Sequence, residues 1–293
     1  MVSSQILSVF LPAALAVIMF GLGLSLSLAD FRRVLAYPKA VGVALVCQML
    51  LLPLICVGVA HVFGLAPALA VGLMLLAASP GGTSANLYSH LAHGDVALNV
   101  TLTAINSILA VVMLPLVVNL SLIHFFGEGK VLPLQFDKVI QLFLVVLGPV
   151  AVGMWIRSRF PGFSARAEKP VKIASGIFLF VVVALVIVTQ PQAVAAGAVQ
   201  VGFAAFTFNI LSLAVGYFVP LVVKLDQRQA TAIGMEIGLH NGTLSIAIAM
   251  SPTLLNNPEM AVPAAIYGLI AFVTAAIFGV LVSKRARRAV ASN

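Results

Sequence analysis

The chain has 293 residues, of which 62% are hydrophobic and 8% charged, against about 25% charged in a typical globular chain. That balance excludes a soluble fold, and spans of roughly 20 residues each use most of the length, leaving none for an appended soluble domain. The formal net charge of +8 raises nucleic acid as a partner, but the Lys and Arg residues lie between apolar stretches and gather on one side, so the charge is a topology signal.

Hydrophobic runs bounded by Gly, Pro or charge predict nine spans, at 5–28, 40–63, 67–92, 96–121, 136–156, 171–189, 198–223, 229–254 and 261–283. No Lys or Arg precedes the first run, which is longer than a signal core, so it is expected to persist as a span. Alternate connections collect three basic residues at 32–39, five at 157–172, Lys224 and Arg228, and four at 284–288, which makes 14 of the 16. Lys130 and Lys138 alone fall on the other side, so the positive-inside rule predicts an external N-terminus and a cytoplasmic C-terminus in a multi-pass inner-membrane protein. The basic tail reads as a stop-transfer anchor rather than a nucleic-acid or lipid patch. The stretch 157–170 is expected to be the longest extramembrane segment and a seam between half-chains. Cys47 and Cys56, nine residues apart in one span, read as packing residues.

Seven of the eight acidic residues fall at predicted ends or loops; Glu236 alone lies within a span. A carboxylate there costs about 3 kcal/mol on insertion scales, and no basic side chain lies deep in another span to pair with it, so it is expected to face a cavity and to be functional. Around it, Gly234-Met235-Glu236-Ile237-Gly238-Leu239-His240-Asn241-Gly242-Thr243 is too polar and glycine-rich for a continuous span, which predicts a break in the eighth. Ser79-Pro80-Gly81-Gly82-Thr83-Ser84-Ala85-Asn86 predicts the same in the third. Two breaks in corresponding spans point to a transporter built from inverted repeats, with unwound carbonyls for cations and half-helix N-termini for an anionic substrate. Thr83, Ser84, Asn241, Gly242 and Thr243 are therefore assigned to a substrate carboxylate.

Gly82-Thr83 and Gly242-Thr243 are 160 residues apart, and that shift carries the first four spans onto the sixth to ninth. The fifth span is unmatched, as in a ten-helix, five-plus-five design that lacks its first helix. On the fourth span Asn99, Thr103 and Asn106 share one helical face, lining a cavity or bonding between helices. Gln48 and Asn209 carry the same two readings, and Asn209 is grouped with the substrate residues.

The chain resembles the bile acid:sodium symporter family of secondary transporters, most closely its bacterial members. The resemblance rests on Pro80-Gly81-Gly82-Thr83-Ser84-Ala85-Asn86, Gly94-Asp95-Val96-Ala97-Leu98, Glu236-Ile237-Gly238-Leu239-His240-Asn241, and Ile18-Met19-Phe20-Gly21-Leu22-Gly23-Leu24 with Asp30-Phe31. It implies a panel domain from the spans near 5–28, 136–156 and 171–189, a core domain from the other six, and third and eighth spans that cross at their breaks. It further implies two sodium sites: Asn86, Asn99, Thr103 and Glu236 in the first, and Gln48, Glu236, the Ile237 and Leu239 backbones and His240 in the second. The chain departs from the family pattern at Ala85 and Asn99, where serines are familiar, at His240, where glutamine is, and at Ala271-Phe272, where a histidine-asparagine pair linked to bile acid stands in relatives.

The function expected is sodium-coupled import of a small organic anion by alternating access, with sodium and the lipid bilayer as partners. No further cofactor, nucleic acid or obligatory protein partner is expected. The alternative is a proton-coupled carrier or exporter in which Glu236 and His240 carry protons. An intramembrane enzyme using His90, His93 and Asp95, or Glu236 and His240, is disfavoured because the His-Glu spacing of a metal site is absent. A passive channel lacks a ring of charges.

Overall fold

The computed structural model describes residues 2–127, 136–189, 191–252 and 254–291, without some side chains, among them those of Thr83, Lys138 and 285–288. Lys130 lies outside the described residues. Everything described is helix or connection, and no strand occurs among the described residues. The elements are α1 (Val2–Ser25), α2 (Leu28–Arg32), α3 (Pro38–Val46), α4 (Leu52–Val62), α5 (Pro67–Ala77), α6 (Thr83–Leu91), α7 (Val96–Phe126), α8 (Phe136–Arg159), α9 (Pro161–Thr189), α10 (Pro191–Val222), α11 (Gln227–Gly238), α12 (Gly242–Met250) and α13 (Val262–Ala291).

Among the described residues four helical stretches are long and apolar enough to cross a membrane, namely Pro38–Val62, Val96–Phe126, Val199–Val222 and Pro258–Lys284. The pair Leu15–Ser25 and Leu28–Ala36 qualifies as a fifth if the 68° bend between them lies within one span. The chain is thus an all-α, multi-pass membrane protein.

Two long helices have local irregularities with a clear source. Pro53 cannot donate to the preceding turn, and the stretch Cys47–Leu51 between α3 and α4 widens into a π-turn that buries Gln48 in the interior. At the end of α1, Asp30 accepts from the backbone N–H and hydroxyl of Ser27, each at 2.7 Å, and pairs with Arg33 at 2.7 Å. The acid of the early sequence motif therefore caps α2. Glycines let α1 and α8 approach backbone to backbone: a Cβ on Gly23 would strike Val150, and one on Gly153 would strike Phe20 and Leu24.

The helix ends differ from the expected spans in one place that matters. The stretch 157–170 is not an extended connection: α8 runs to Arg159, and α9 starts at Pro161 and continues through Pro170. Proline at the first helical position requires no donor, so the basic segment adds turns to α9 instead of ending it. Packing divides the molecule unevenly. α1 lies chiefly on α8 and α9, whereas α10 packs on α11 and α13, and α5 on α7.

The joints at one end of the molecule are capped by acids. Asp95 accepts from Leu98 N–H at 3.0 Å to start α7, and Asp226 accepts from Gln229 N–H at 2.9 Å to start α11. The Asp95 amide donates to the Arg228 carbonyl at 3.0 Å, which ties these two starts together. Tyr37 bonds Asp95 from the entry to α3, and burial, reinforced by that carboxylate, holds its phenol above the usual range.

Candidate functional site

The site is built where two helices stop and restart. α5 ends at Ala77 and α6 begins at Thr83, because Pro80 has no N–H to continue the ladder. α11 ends at Gly238 and α12 begins at Gly242. The two breaks pair with one another: Gly82 N–H donates to the Leu239 carbonyl at 3.1 Å, and Asn241 N–H donates to the Pro80 carbonyl at 2.8 Å. Gly81 and His240 thereby face each other across an antiparallel bridge. Backbone groups that unwinding would orphan within a membrane are so satisfied between the two breaks.

Glu236 lies in the last turn of α11 and is fully buried. Thr103 donates its hydroxyl to Oε2 at 2.7 Å, and Asn106 donates Nδ2 to Oε1 at 3.2 Å. The Gly81 amide adds a backbone bond. Gly81 is also the only kind of residue that fits there, since a Cβ would sit 2.5 Å from both carboxylate oxygens. Every group holding the carboxylate is neutral. The polar face of α7 is turned on α11, because Asn99 Nδ2 donates to the Ala232 carbonyl at 2.7 Å, on the same helix as Glu236.

Four amide oxygens on the residues expected as cation ligands, or beside them, accept nothing. Gln48 Oε1, Asn86 Oδ1, Asn99 Oδ1 and Asn106 Oδ1 are all buried and unpartnered. Such groups are uncommon in native interiors. Each offers a lone pair suited to a hard cation, whose preferred ligands are oxygens. Among the described residues no group of three or more His, Cys, Asp or Glu side chains could hold a metal.

A second group sits on the other side of the bridge. Gln48 Nε2 donates to the carbonyls of Ala77 and Ser79, both at 3.1 Å, and His240 Nδ1 lies 3.3 Å from the same Ser79 oxygen. His240 stacks on Phe208 with centroids 5.6 Å apart, and its Nε2 is buried without a partner. The Leu239 carbonyl belongs to the bridge itself, and the Ile237 side chain packs beside Gly216 on α10.

Of the residues assigned to substrate, Ser84 and Thr243 are half-buried in the first turns of α6 and α12, and Gly242 opens α12. Asn241 uses its own Oδ1 to cap α12, accepting from Leu244 N–H at 3.0 Å. Asn209 stands apart from them. Its Nδ2 donates to the Gly238 carbonyl and the Tyr267 hydroxyl, both at 2.9 Å, and its Oδ1 accepts from Thr274 at 2.5 Å. Tyr267 in turn donates to the Gly238 carbonyl at 2.8 Å. His90 and His93 are exposed at the end of α6, away from the bridge.

Four contributors were not in the expected ligand sets. Asn106 was visible as the third member of the α7 stripe, and its bond to Glu236 follows from sharing a face with Thr103. Gly81 was visible only as a helix breaker. Tyr267 and Thr274 gave no signal, since a lone Tyr or Thr in an apolar span reads as packing.

A single buried acid held by neutral groups at two interlocked helix breaks inside apolar helices is the arrangement of a membrane protein of the secondary-transporter class. The chain belongs to the sodium bile acid symporter family, whose model matches residues 12–196; it is a family of transporters, not enzymes. It is 30% identical over 267 residues to an uncharacterized sodium-dependent transporter, YocS, of Bacillus subtilis (strain 168), covering 90% of this chain and 79% of that one. It is 29% identical to a probable chloroplastic sodium/metabolite cotransporter, BASS2, of Oryza sativa subsp. japonica, over 86% of this chain but only 58% of the relative. The ileal sodium/bile acid cotransporter of Cricetulus griseus is 26% identical over 86% of this chain and 73% of its own length.

Proposed function

We propose that the protein is a sodium-coupled symporter that imports a small organic anion, a carboxylate, by alternating access. The observation that carries this reading is Glu236, fully buried and held by neutral donors, with the unpartnered amide oxygens of Asn99 and Asn106 on the α7 face turned on α11. Sodium ions, which are cargo here, are the natural complement of that charge and those oxygens. Asn86, Asn99, Thr103 and Glu236 form the first site, with Asn106 beside them; Gln48, Glu236, the Ile237 and Leu239 carbonyls and His240 form the second. The names of relatives, a sodium-dependent transporter and two sodium cotransporters, agree with sodium as the coupling ion.

The substrate carboxylate docks at the restarts of the broken helices, where Thr83 and Gly242 open the first turns and Ser84 and Thr243 add hydroxyls. Asn241 shapes that turn as its cap, and Asn209 acts from behind through Gly238. A small carboxylate suits the site better than a bile acid, because Ala271 is buried and Phe272 stacks on Tyr88 with centroids 6.2 Å apart where a polar pair stands in relatives.

In this reading the chain crosses the inner membrane nine times, with an external N-terminus and a cytoplasmic C-terminus. α1, α8 and α9 make the panel against which the remaining helices move as a core, in keeping with their separate packing. An inverted repeat is supported by two amides in equivalent roles. Gln48 donates to Ala77 O and Asn209 to Gly238 O, so donor and acceptor both recur 161 residues on, at 209 − 48 and 238 − 77.

A second reading has protons on Glu236 and His240 in place of sodium, and the unpartnered Nε2 of His240 favours it. Purified protein decides between them. Sodium chloride, compared with potassium or choline chloride, is expected to raise the melting midpoint of the wild type and to drive uptake into proteoliposomes without a proton gradient. Glu236→Gln is expected to lose both responses while remaining folded. Uptake by the wild type driven by a proton gradient alone, with no response to sodium, overturns the sodium reading.

A further inference from the structure

Away from the helix breaks, at the opposite ends of α4 and α7 from Tyr37 and Asp95, two histidines meet that the transport site does not use. His61 in the last turn of α4 and His124 in the last turns of α7 point Nε2 at Nε2 across 2.7 Å, with their rings near perpendicular at 85°. Both side chains are exposed. Phe125 packs against each ring, with centroids 5.3 Å from His61 and 4.8 Å from His124, and so limits the rotamers open to them. The pair, with Phe125, joins the end of α4 to the end of α7.

We propose that His61 and His124 form a surface site for a divalent transition-metal ion, zinc or nickel by class, which clamps the end of α4 to the end of α7. In the metal-free pair one Nε2 carries a proton and the other accepts it. Neutral imidazole binds metal through the bare nitrogen, so the donating ring moves its proton from Nε2 to Nδ1, and both Nε2 lone pairs then face the ion with no net release of a proton. Zinc–nitrogen bonds of about 2.0–2.1 Å at a tetrahedral angle require the two nitrogens to stand about 3.3 Å apart. Opening from 2.7 Å asks for roughly 0.6 Å, within reach of small χ rotations in exposed side chains. Among the described residues no third His, Cys, Asp or Glu joins the pair, so water completes the shell. Two imidazoles and water select zinc, nickel or copper and reject magnesium and calcium, which take oxygen ligands.

The test uses the full-length protein, stripped with chelator and purified in detergent. Zinc or nickel chloride at tenfold excess over its dissociation constant is expected to raise the melting midpoint by roughly 3 °C, and magnesium chloride is expected to leave it unchanged. His61→Gln and His124→Gln, each alone, are expected to keep the metal-free midpoint and to weaken zinc binding by about tenfold or more. Equilibrium dialysis of the wild type is expected to give one zinc per chain. Absence of any zinc or nickel shift, a dialysis result of no bound zinc, or an equal shift in the His61→Gln/His124→Gln double variant overturns the proposal. The dialysis result stands even if a variant fails to fold.

Discussion

Replacing Gly81 by alanine is the smallest change that reaches the buried acid without touching it chemically. The added Cβ would stand 2.5 Å from both oxygens of Glu236, where real Cβ contacts do not fall below 3.0 Å, so carboxylate or backbone must yield by at least half an ångström. The backbone resists, because Gly81 lies in the bridge fastened by the Gly82–Leu239 and Asn241–Pro80 bonds. The carboxylate therefore shifts and strains its bonds to Thr103 and Asn106, each worth about 1.5–3 kcal/mol as a hydrogen bond to a charged group. Losing one of them from the sodium-bound arrangement corresponds to a fall in sodium affinity of roughly 10- to 150-fold, since 1.4 kcal/mol is a factor of ten. Titrating the melting midpoint and the initial uptake rate with sodium measures that affinity in wild type and variant side by side. A folded Gly81→Ala protein with unchanged half-saturating sodium refutes the reasoning, because it would mean that the position of Glu236 does not matter to the ion.

Other expectations follow from the same geometry. Thr103→Ala removes one hydroxyl donor and is expected to raise half-saturating sodium by about tenfold, a milder effect than the loss of response in Glu236→Gln. Asn209→Ala releases Gly238, Tyr267 and Thr274 together and is expected to lower the melting midpoint and weaken sodium affinity in parallel; Tyr267→Phe, which leaves Asn209 on the Gly238 carbonyl, is expected to give the smaller change in both. Single cysteines near Arg33, Arg166, Arg228 and Arg287 are expected to stay unlabelled by an impermeant reagent in intact cells, while positions near Lys130 and Glu259 react. Labelling at Arg166 from outside would sink the nine-span topology.

Much of the site could be read before any coordinates, for an energetic reason. An ionisable group inside an apolar span is so unfavourable that Glu236 announces itself, and the same holds for Pro and Gly runs that interrupt a helix. The α7 stripe was equally plain, but periodicity could not say whether Asn99, Thr103 and Asn106 met a cavity or another helix. In the folded chain they meet another helix, each spending a donor on α11 or the acid, while Asn99 and Asn106 keep an oxygen bare. That the breaks meet was implied only by the resemblance; residue patterns alone did not carry it, because their pairing is a long-range backbone event, 159 residues from Gly81 to His240, with no side-chain pattern of its own. The clamp on Gly238 was hidden because Asn209, Tyr267 and Thr274 share neither a helix face nor a spacing. That 157–170 is largely helical was not legible from its charge, because Lys and Arg suit a helix that has left the apolar layer as well as they suit a connection.

The neutrality of everything that grips Glu236 bears on the electrical cost of moving the core. With Thr103, Asn106 and the Gly81 amide contributing dipoles only, an ionised Glu236 would give the site a resident charge of −1. On the proposed reading, two sodium ions and one monocarboxylate would bring it to zero, so the loaded core would swing through the low-dielectric layer without net charge. The empty core would return carrying −1, and a membrane potential that is negative inside would push that return outward. On this account a dicarboxylate leaves the loaded site at −1 and forfeits the advantage, so selection of singly charged substrates would begin in the charge balance of the cradle as much as in the shape of the pocket.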